Sequence, residues 1–341
     1  ERINRRVDFM VKDGLIDEME ALVMADDDIL AKIQAGWAQT AARDKARYAD
    51  ERVPEDVHWE TEYRYENSAD PQQTLNLYYP AKRRNATLPT VIDVHGGGWF
   101  YGDRNLNRNY CRYLASQGYA VMGMGYRLLP DVDVRGQIQD IFASLRWLSH
   151  FGPQRGFDLD HVLLTGDSAG GHLASLVACI QQSEELQELF GVDRVNFNFT
   201  LVALVCPVAE PGKLPEAAGD MSDMAAFYLD KLSGGDAALA DHLNFSQVAK
   251  DLKLPPFMLI GGQNDSFYLQ SQVLLEVFAA DKVTYTTKLW PASAGPHLKH
   301  VFNVQHWEWP ESIETNLAML RQFDVLSKQR DEAEADEEDD L

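Results

Sequence analysis

Apolar and polar residues follow two rhythms along this chain, and the change between them comes near residue 90. Residues 59–65 and 74–79 alternate apolar and polar side chains around the turn-like segment 67–71, which predicts an antiparallel hairpin. Beyond residue 90, continuous apolar runs of strand length alternate with segments of helical periodicity. These runs predict strands at 90–94, 120–126, 161–165, 199–207, 257–261 and 282–290, and helices at 107–117, 134–150, 169–181, 268–280 and 311–330.

Buried strands that alternate with helices favour a parallel sheet with right-handed crossovers. We therefore expect an α/β fold whose doubly wound sheet is mostly parallel and begins with the N-terminal antiparallel hairpin. The domain that contains this sheet is expected to span residues 51–330.

Three segments lie outside this alternation. Residues 1–50 are charged, rich in alanine and helical in pattern, and residues 211–247 contain helical pieces but no strand. A compact fold seldom uses so long a connection unless it covers something, so we expect both segments to form a helical cap. Residues 331–341 are acidic and of low complexity, and we expect them to be disordered.

Charge and cysteine content limit the partners and the compartment. The formal net charge is −22 over 341 residues, and an acidic surface repels phosphate backbones, so we expect no nucleic-acid partner. No apolar run approaches the roughly 18 residues that a membrane-spanning helix needs. A homodimer is compatible with the sequence. Three widely spaced cysteines, Cys111, Cys179 and Cys206, suggest buried free thiols and a cytoplasmic location. Because the sequence starts at Glu1 rather than Met, export after removal of a leader is the alternative.

The strongest chemical motif is a serine between glycines at a predicted strand-to-helix turn. The segment Gly166–Gly170, which reads GDSAG, directly follows the strand at 161–165 and overlaps the start of the helix at 169–181. A serine on such a turn needs glycine neighbours because the backbone is strained and the adjoining elements leave no room for side chains. The helix N-terminus also favours developing negative charge. We therefore predict that Ser168 is a nucleophile.

A second glycine motif, His95–Trp99, reads HGGGW and follows the strand at 90–94. Successive glycines at a strand end allow backbone N–H groups to face a substrate oxygen, and acyl transfer needs two or three such donors about 3 Å from the oxyanion. We assign this role to Gly97 and Gly98, with the N–H of Ala169 as the third donor. His95 is expected to brace the loop rather than to transfer protons.

A serine nucleophile needs a base, and the base needs a carboxylate that orients it. Asp265 follows the strand at 257–261 and is the expected acid. Asp251 precedes that strand and Asp281 lies at the far end of the helix at 268–280, so we expect both to point away from the site. After the last strand, His300 is the expected base, with His306 as the second candidate and His297 as the third. The scattered histidines lack paired ligand spacing, so we expect no catalytic metal and no cofactor.

Aromatic residues near these motifs are candidates for a substrate pocket, with ordinary core packing as the alternative for each. The pocket candidates are Trp99, Phe100, Tyr101 and Trp307, followed by Phe227, Tyr228 and Trp309.

These motifs resemble those of the hormone-sensitive-lipase-like esterases and carboxylesterases of the α/β-hydrolase superfamily. The resemblance covers roughly 75–325 and rests on His95–Trp99, Tyr126–Leu128, Pro130, Asp140, Trp147, Gly166–His172, Asp265 and His300–Phe302. It implies a triad of Ser168, Asp265 and His300, the same oxyanion hole, a helical cap and cleavage of short-acyl esters. Two departures concern the acid and the base: Asp265–Phe267 reads DSF where the family commonly has DPL, and residues around 291–296 are inserted.

The sequence thus predicts a serine esterase that hydrolyses a small carboxylic ester through an acyl-enzyme intermediate. A peptidase of the same fold is less favoured, because neither a propeller domain nor evident amine-binding carboxylates are found. A small-molecule receptor on a hydrolase scaffold usually lacks a member of the triad, whereas every role has an occupant here. The expected partner is therefore a small-molecule ester.

Overall fold

The computed structural model describes residues 15–83, 86–214 and 222–339 of the chain. It divides into two compact units, one formed by residues 1–51 and 215–228 and the other by 52–214 and 229–341. All strands of the described residues lie in the second unit, together with every predicted catalytic residue.

The second unit is built on an eight-stranded sheet in the order β1-β2-β4-β3-β5-β6-β7-β8. β1 and β2 pair antiparallel as the predicted hairpin, β2 also runs antiparallel to β4, and the remaining neighbours are parallel. The predicted α/β fold is therefore confirmed. The strands are β1 Val57–Arg64, β2 Thr74–Pro80, β3 Leu88–Val94, β4 Ala120–Met124, β5 Phe157–Asp167, β6 Leu201–Val205, β7 Phe257–Gly262 and β8 Tyr285–Trp290.

Three strands are shorter than their apolar runs predict: β4 ends at Met124, two residues early, and the backbone explains the differences in β6 and β8. β6 ends at Val205 because Cys206 has a φ of 44° and Pro207 follows it, so neither can continue a strand. β8 begins at Tyr285, three residues after Lys282, whose φ of 55° turns the chain after the preceding helix.

The helices of the second unit cover both faces of the sheet. One core cluster joins side chains of the helices Arg108–Ser116 and Pro310–Asp339 to β-strand residues such as Val91 and Leu163. Three other helices contact one another, namely Val134–Phe151, Ala169–Ile180 and Glu184–Phe190. The longer helices and their short neighbours are α2 Arg108–Ser116, α3 Val134–Phe151, α4 Ala169–Ile180, α5 Glu184–Phe190, α7 Ala237–Ala240, α8 Phe245–Val248, α9 Tyr268–Ala280, α10 Phe302–Gln305 and α11 Pro310–Asp339.

Two further helices correspond to the predicted cap segments. α1 spans Leu15–Asp50, so the helical prediction for 1–50 is confirmed there, while residues 1–14 lie outside the described residues. Within its own unit, the Trp37 indole N–H donates to the Tyr228 hydroxyl at 3.1 Å. α6, Ser222–Ser233, lies within the predicted segment 211–247, whose described residues contain helices but no strand. The covering role of these segments stays a prediction.

The acidic end of the chain differs from the expectation of disorder. α11 continues through Asp339, and only residues 340 and 341 lie outside the described part. Alanine and glutamate favour helix, and the Arg330 Nε lies 2.9 Å from Glu334 Oε1 one turn along. Asp331 also accepts a hydrogen bond from His161 at 2.8 Å. A charge run was therefore a poor indicator of disorder here.

The prediction of buried free thiols is confirmed. The three cysteines are buried and free of disulfides. Among the described residues, no helix is apolar over a length that could cross a membrane.

Candidate active site

The turn between β5 and α4 places Ser168 in a backbone conformation that residues other than glycine rarely adopt. Its φ is 52° and its ψ is −117°, and its N–H donates to Val205 O at 2.9 Å. A Cβ atom at Gly166 would lie 2.4 Å from Gly170 O, and one at Gly170 would lie 2.0 Å from Val94 O. Only glycine fits at these two positions, so the glycines of the motif allow the turn that exposes the serine hydroxyl.

The structure brings the predicted nucleophile, base and acid into one hydrogen-bonded chain. His300 Nε2 lies 2.9 Å from Ser168 Oγ, and His300 Nδ1 lies 2.8 Å from Asp265 Oδ1. The Phe267 N–H donates to the same Asp265 oxygen at 2.9 Å, which fixes the carboxylate at the start of α9. Three residues far apart in sequence thus lie within hydrogen-bonding distance of one another in the order that a Ser–His–Asp triad requires.

The two alternative bases lie in other surroundings. His306 stacks on Trp309, with ring centroids 4.0 Å apart and planes 3° apart. His297 packs edge-on against the same indole and lies 3.6 Å from a carboxylate oxygen of Glu311. The geometry therefore favours His300 among the three candidates.

The inserted segment near residue 291 is tied to the loop that precedes the acid. It forms a short turn at Ala292–Ala294, whose Ala292 N–H donates to Gln263 Oε1 at 2.9 Å. Asn264 Nδ2 donates to the carbonyls of Ala292 and Gly295 at 3.2 and 2.9 Å. The insertion and the acid loop thus support one another, and His300 still reaches Ser168.

The glycine loop after β3 adopts backbone angles that require glycine. Gly97 and Gly98 have φ values of 108° and 56°, and a Cβ atom at Gly97 would lie 2.0 Å from Tyr101 O. Gly97 O accepts the N–H groups of Phe100 and Tyr101 at 3.2 and 3.0 Å, which closes the turn. The N–H groups of Gly97, Gly98 and Ala169 have no acceptor among the described residues, so they are available to a substrate oxygen.

A buried polar cluster joins this glycine loop to the nucleophile turn. Asp167 Oδ1 accepts from the Gly96 N–H at 3.0 Å and from Asn107 Nδ2 at 2.7 Å. Asn107 Nδ2 also lies 3.1 Å from Asp93 Oδ2. Burial raises the pKa of Asp93 to about 8, with a further contribution from the charge of Asp167, and burial also raises the pKa of Asp167. Sequence reasoning missed Asp93 and Asn107, although an aspartate inside an apolar strand is a signal that could have been followed.

His95 supports the glycine loop, as the sequence predicted. Its ring stacks on Tyr126 with centroids 4.4 Å apart, and the Tyr126 hydroxyl donates to its carbonyl at 2.7 Å. Burial lowers the pKa of His95 to about 4, so the imidazole is neutral at physiological pH.

Two of the predicted pocket residues are core residues instead. Trp99 is 3% exposed and donates its indole N–H to His172 Nδ1 at 3.1 Å. Trp307 is 6% exposed, stacks on Tyr113 and donates to the Arg52 carbonyl at 3.2 Å. Burial of a large indole ring is favourable, and in the core the indole N–H groups of both residues also have acceptors. Phe100 and Tyr101 are half-buried beside the glycine loop and stay candidates for the pocket.

Cys206 also lies beside the relay. Its sulfur, an Asp265 oxygen and a His300 nitrogen lie within 4.8 Å of one another, the one such group of potential metal ligands among the described residues. Both ring nitrogens of His300 already lie within hydrogen-bonding distance of Ser168 and Asp265. The arrangement therefore favours proton transfer over metal coordination.

Comparisons with known proteins point to esterases. A model of the BD-FAE family matches residues 75–277. The structure of esterase B from Lactobacillus rhamnosis (HN001) has a TM-score of 0.89 and 91% sequence identity, covering 91% of this chain and 98% of that chain. A structure of esterase B described with a C4-C4 SN3 tributyrin phosphonate has a TM-score of 0.89 and 89% identity, with coverage of 91% and 98%.

Curated relatives match over shorter stretches. Esterase LipI of Mycobacterium tuberculosis (strain ATCC 25618 / H37Rv) is 36% identical over 111 residues, which are 32% of this chain and 35% of the relative. Carboxylesterase NlhH of the same organism is 33% identical over 105 residues, or 30% of this chain and 33% of the relative. The match thus spans about a third of the length of these relatives.

Proposed function

This chain belongs to the BD-FAE family of α/β-hydrolases, and we propose that it is a carboxylic ester hydrolase with Ser168 as its nucleophile. The observation that carries the proposal is the unbroken relay from Ser168 Oγ through His300 to Asp265, with contacts of 2.9 and 2.8 Å. The similarity of this chain to esterase B, at 91% identity, supports the same class of reaction.

In the first half of the reaction, the Ser168 oxygen attacks the ester carbonyl while His300 Nε2 takes the serine proton. Asp265 holds Nδ1 and stabilises the imidazolium that forms. The N–H groups of Gly97, Gly98 and Ala169 then donate to the oxyanion of the tetrahedral intermediate. Collapse of this intermediate breaks the ester C–O bond, and His300 gives its proton to the leaving alcohol oxygen.

In the second half, water replaces the alcohol. His300 takes a proton from the water as its oxygen attacks the acyl carbon, and the same three N–H groups stabilise the second oxyanion. The acyl–Ser168 bond breaks, the proton returns to the Ser168 oxygen, and the carboxylic acid leaves. The relay thus ends in its starting protonation state.

We further propose that the acyl chain is short. One structure similar to this chain, that of esterase B, is described with a tributyrin phosphonate, a reagent with C4 groups. The half-buried Phe100 and Tyr101 beside the glycine loop supply apolar area close to where the carbonyl would bind. A C4 acyl group is therefore the expected optimum.

A chain-length series of p-nitrophenyl esters from C2 to C16 tests both parts of this proposal. We expect kcat/KM to be highest near C4 and the Ser168→Ala variant to lose more than about a thousandfold. Ser175→Ala is the matched control. Ser175 is a buried serine of α4, the helix that Ser168 directly precedes, and its hydroxyl donates to the His172 carbonyl at 2.7 Å. A folded chain that cleaves none of these esters, or a Ser168→Ala variant with more than about a tenth of the activity, would contradict the proposal.

A further inference from the structure

Cys206 lies directly after β6, between the nucleophile and the strand that leads to the acid. Its own N–H donates to Ile260 O at 2.8 Å, and the preceding carbonyl, that of Val205, accepts the Ser168 N–H at 2.9 Å. The residue is 1% exposed. Its backbone is therefore fixed on both sides at the edge of the sheet where the reaction is proposed to occur.

The thiol contacts the loop that carries the base. The Val301 N–H donates to Cys206 Sγ at 3.4 Å, and Val301 follows His300 directly. Cys206 and Val301 both have positive φ values, 44° and 50°, although neither is glycine. Such conformations cost free energy and persist only where the surroundings fix them, commonly at functional sites. The two strained residues are thus in contact with each other next to the relay.

The same thiol lies near the Asp265 carboxylate, one of whose oxygens needs a partner. Asp265 Oδ1 accepts hydrogen bonds from His300 and Phe267, whereas the buried Oδ2 has no hydrogen-bond partner among the described residues. A buried carboxylate oxygen without a donor is unfavourable. Cys206 Sγ lies within 4.8 Å of an Asp265 oxygen and of a His300 nitrogen.

We propose that Cys206 is a positioning residue, whose S–H points to the Asp265 carboxylate while its sulfur accepts the Val301 N–H. These two interactions hold Asp265 and His300 in position to act with Ser168. The inference rests on the proposed function of that site. Burial raises the pKa of the Cys206 thiol and the charge of Asp265 raises it further, so the S–H is retained. The charged and titratable groups that face it are Asp265, His300 and Asp167.

Replacing Cys206 tests this role in the kinetics. In Cys206→Ala the carboxylate loses a donor and binds the His300 imidazolium more strongly, so the pH of half-maximal kcat/KM should rise by about half a unit. The loosened geometry should lower kcat about tenfold while KM stays within about twofold. Cys206→Ser keeps a hydroxyl donor and should recover part of the loss.

Cys179→Ala is the matched control, because Cys179 is also a buried free thiol and lies near the far end of α4. It should behave as the wild type in kcat and in the pH profile. Equal pH profiles for Cys206→Ala and Cys179→Ala would overturn the proposal, even if Cys206→Ala were slower, because a packing role would leave the profile unchanged.

A spectroscopic readout keeps the test independent of activity and of the alanine variant. The downfield proton resonance of the His300 Nδ1–H bond to Asp265 should move in Cys206→Ser and stay in place in Cys179→Ala. An unmoved resonance in Cys206→Ser would contradict the proposal. A wild-type chain that cleaves no ester contradicts the proposed function instead, whereas an active wild type with unresponsive Cys206 variants contradicts only the role of Cys206.

Discussion

The proposed nucleophile side of the site, around Ser168, and the proposed base side, around His300, are built differently. Ser168 and the glycine loop are held by short-range turns and by the buried contacts of Asp167 with Gly96 and Asn107. His300 comes from a loop between β8 and α10, its side chain is 25% exposed, and it is held by contacts from distant parts of the chain. The nucleophile side is therefore fixed by glycine turns and by fully buried polar contacts, while the base side depends on the contacts of a partly exposed side chain.

This difference predicts how each side responds to change. A substitution on the base side should reduce turnover with little effect on stability, because few buried contacts are lost. A substitution in the buried cluster under the nucleophile should alter stability and its pH dependence first.

The largest effect should come from the base. His300→Ala should lose more than about a thousandfold in kcat, nearly as much as Ser168→Ala, because members of a triad act as a unit. His306→Ala and His297→Ala are matched controls from the same loop region and should keep at least about a tenth of the activity. Steady-state kinetics on a p-nitrophenyl ester measures all three. A dead His306→Ala beside an active His300→Ala would show that the base side is arranged otherwise.

A smaller loss is expected at the acid. Asp265→Asn leaves the imidazole in place but favours the wrong tautomer, so kcat should fall by at least about a hundredfold, less than in His300→Ala, with the melting temperature nearly unchanged. Asp281→Asn is the control, since this aspartate follows α9 at the other end of the helix. A fall in melting temperature as large as that of a core substitution would show that Asp265 supports the fold rather than the base.

On the nucleophile side, Asp93 should make stability depend on pH. Its folded pKa is raised to about 8, mainly by burial, so its contribution is full below the ordinary carboxyl range and is lost as pH rises through about 8. The Asp93→Asn variant does not titrate there. From pH 5 to pH 9 the wild type should therefore lose several degrees of melting temperature relative to Asp93→Asn. Parallel melting curves across this range would contradict the assignment of a neutral, buried Asp93.

The smallest effect is expected far from the site, where His161 lies between Asp158 and Asp331 at 2.7 and 2.8 Å. Partial burial lowers the pKa of His161, but the two carboxylates outweigh it and the pKa is raised. Its stabilisation is therefore present at acidic pH and lost as pH rises through the raised value. Asp331→Asn should lower the melting temperature by about 1 °C at pH 6 and not at pH 9, since exposed ion pairs contribute little. Asp336→Asn, an equal change of charge on the same helix, should have no effect at either pH.

The contrast between the two sides also explains what the sequence could predict. The turn at Ser168 and the loop at Gly97 are determined by local glycines, so their conformations could be inferred from a few adjacent residues. The sheet was predictable for a similar reason, since apolar runs mark buried strands.

Contacts between distant residues were not predictable in this way. Asn107 directly precedes α2 and Cys206 directly follows β6, and neither belongs to a local motif. Their contacts with distant residues exist only once the sheet brings the strand ends together. A pocket role and core packing could not be distinguished for Trp307 from the sequence, because a bulky residue near a predicted site gives no sign of which side of the sheet it faces. It lies in the core cluster. Helix formation at 331–339 was missed because charge density was given more weight than helix propensity.

Ser168 is the predicted nucleophile, and covalent labelling identifies the residue that reacts. The chain is incubated with a fluorophosphonate and with a butyryl phosphonate, and the adduct is located by mass spectrometry of the intact protein and of its peptides. We predict one adduct per chain, on the peptide that contains Ser168, and none in Ser168→Ala, while Ser175→Ala is labelled as the wild type is. An adduct on another residue, or labelling of Ser168→Ala at the rate of the wild type, would show that Ser168 is not the reactive nucleophile.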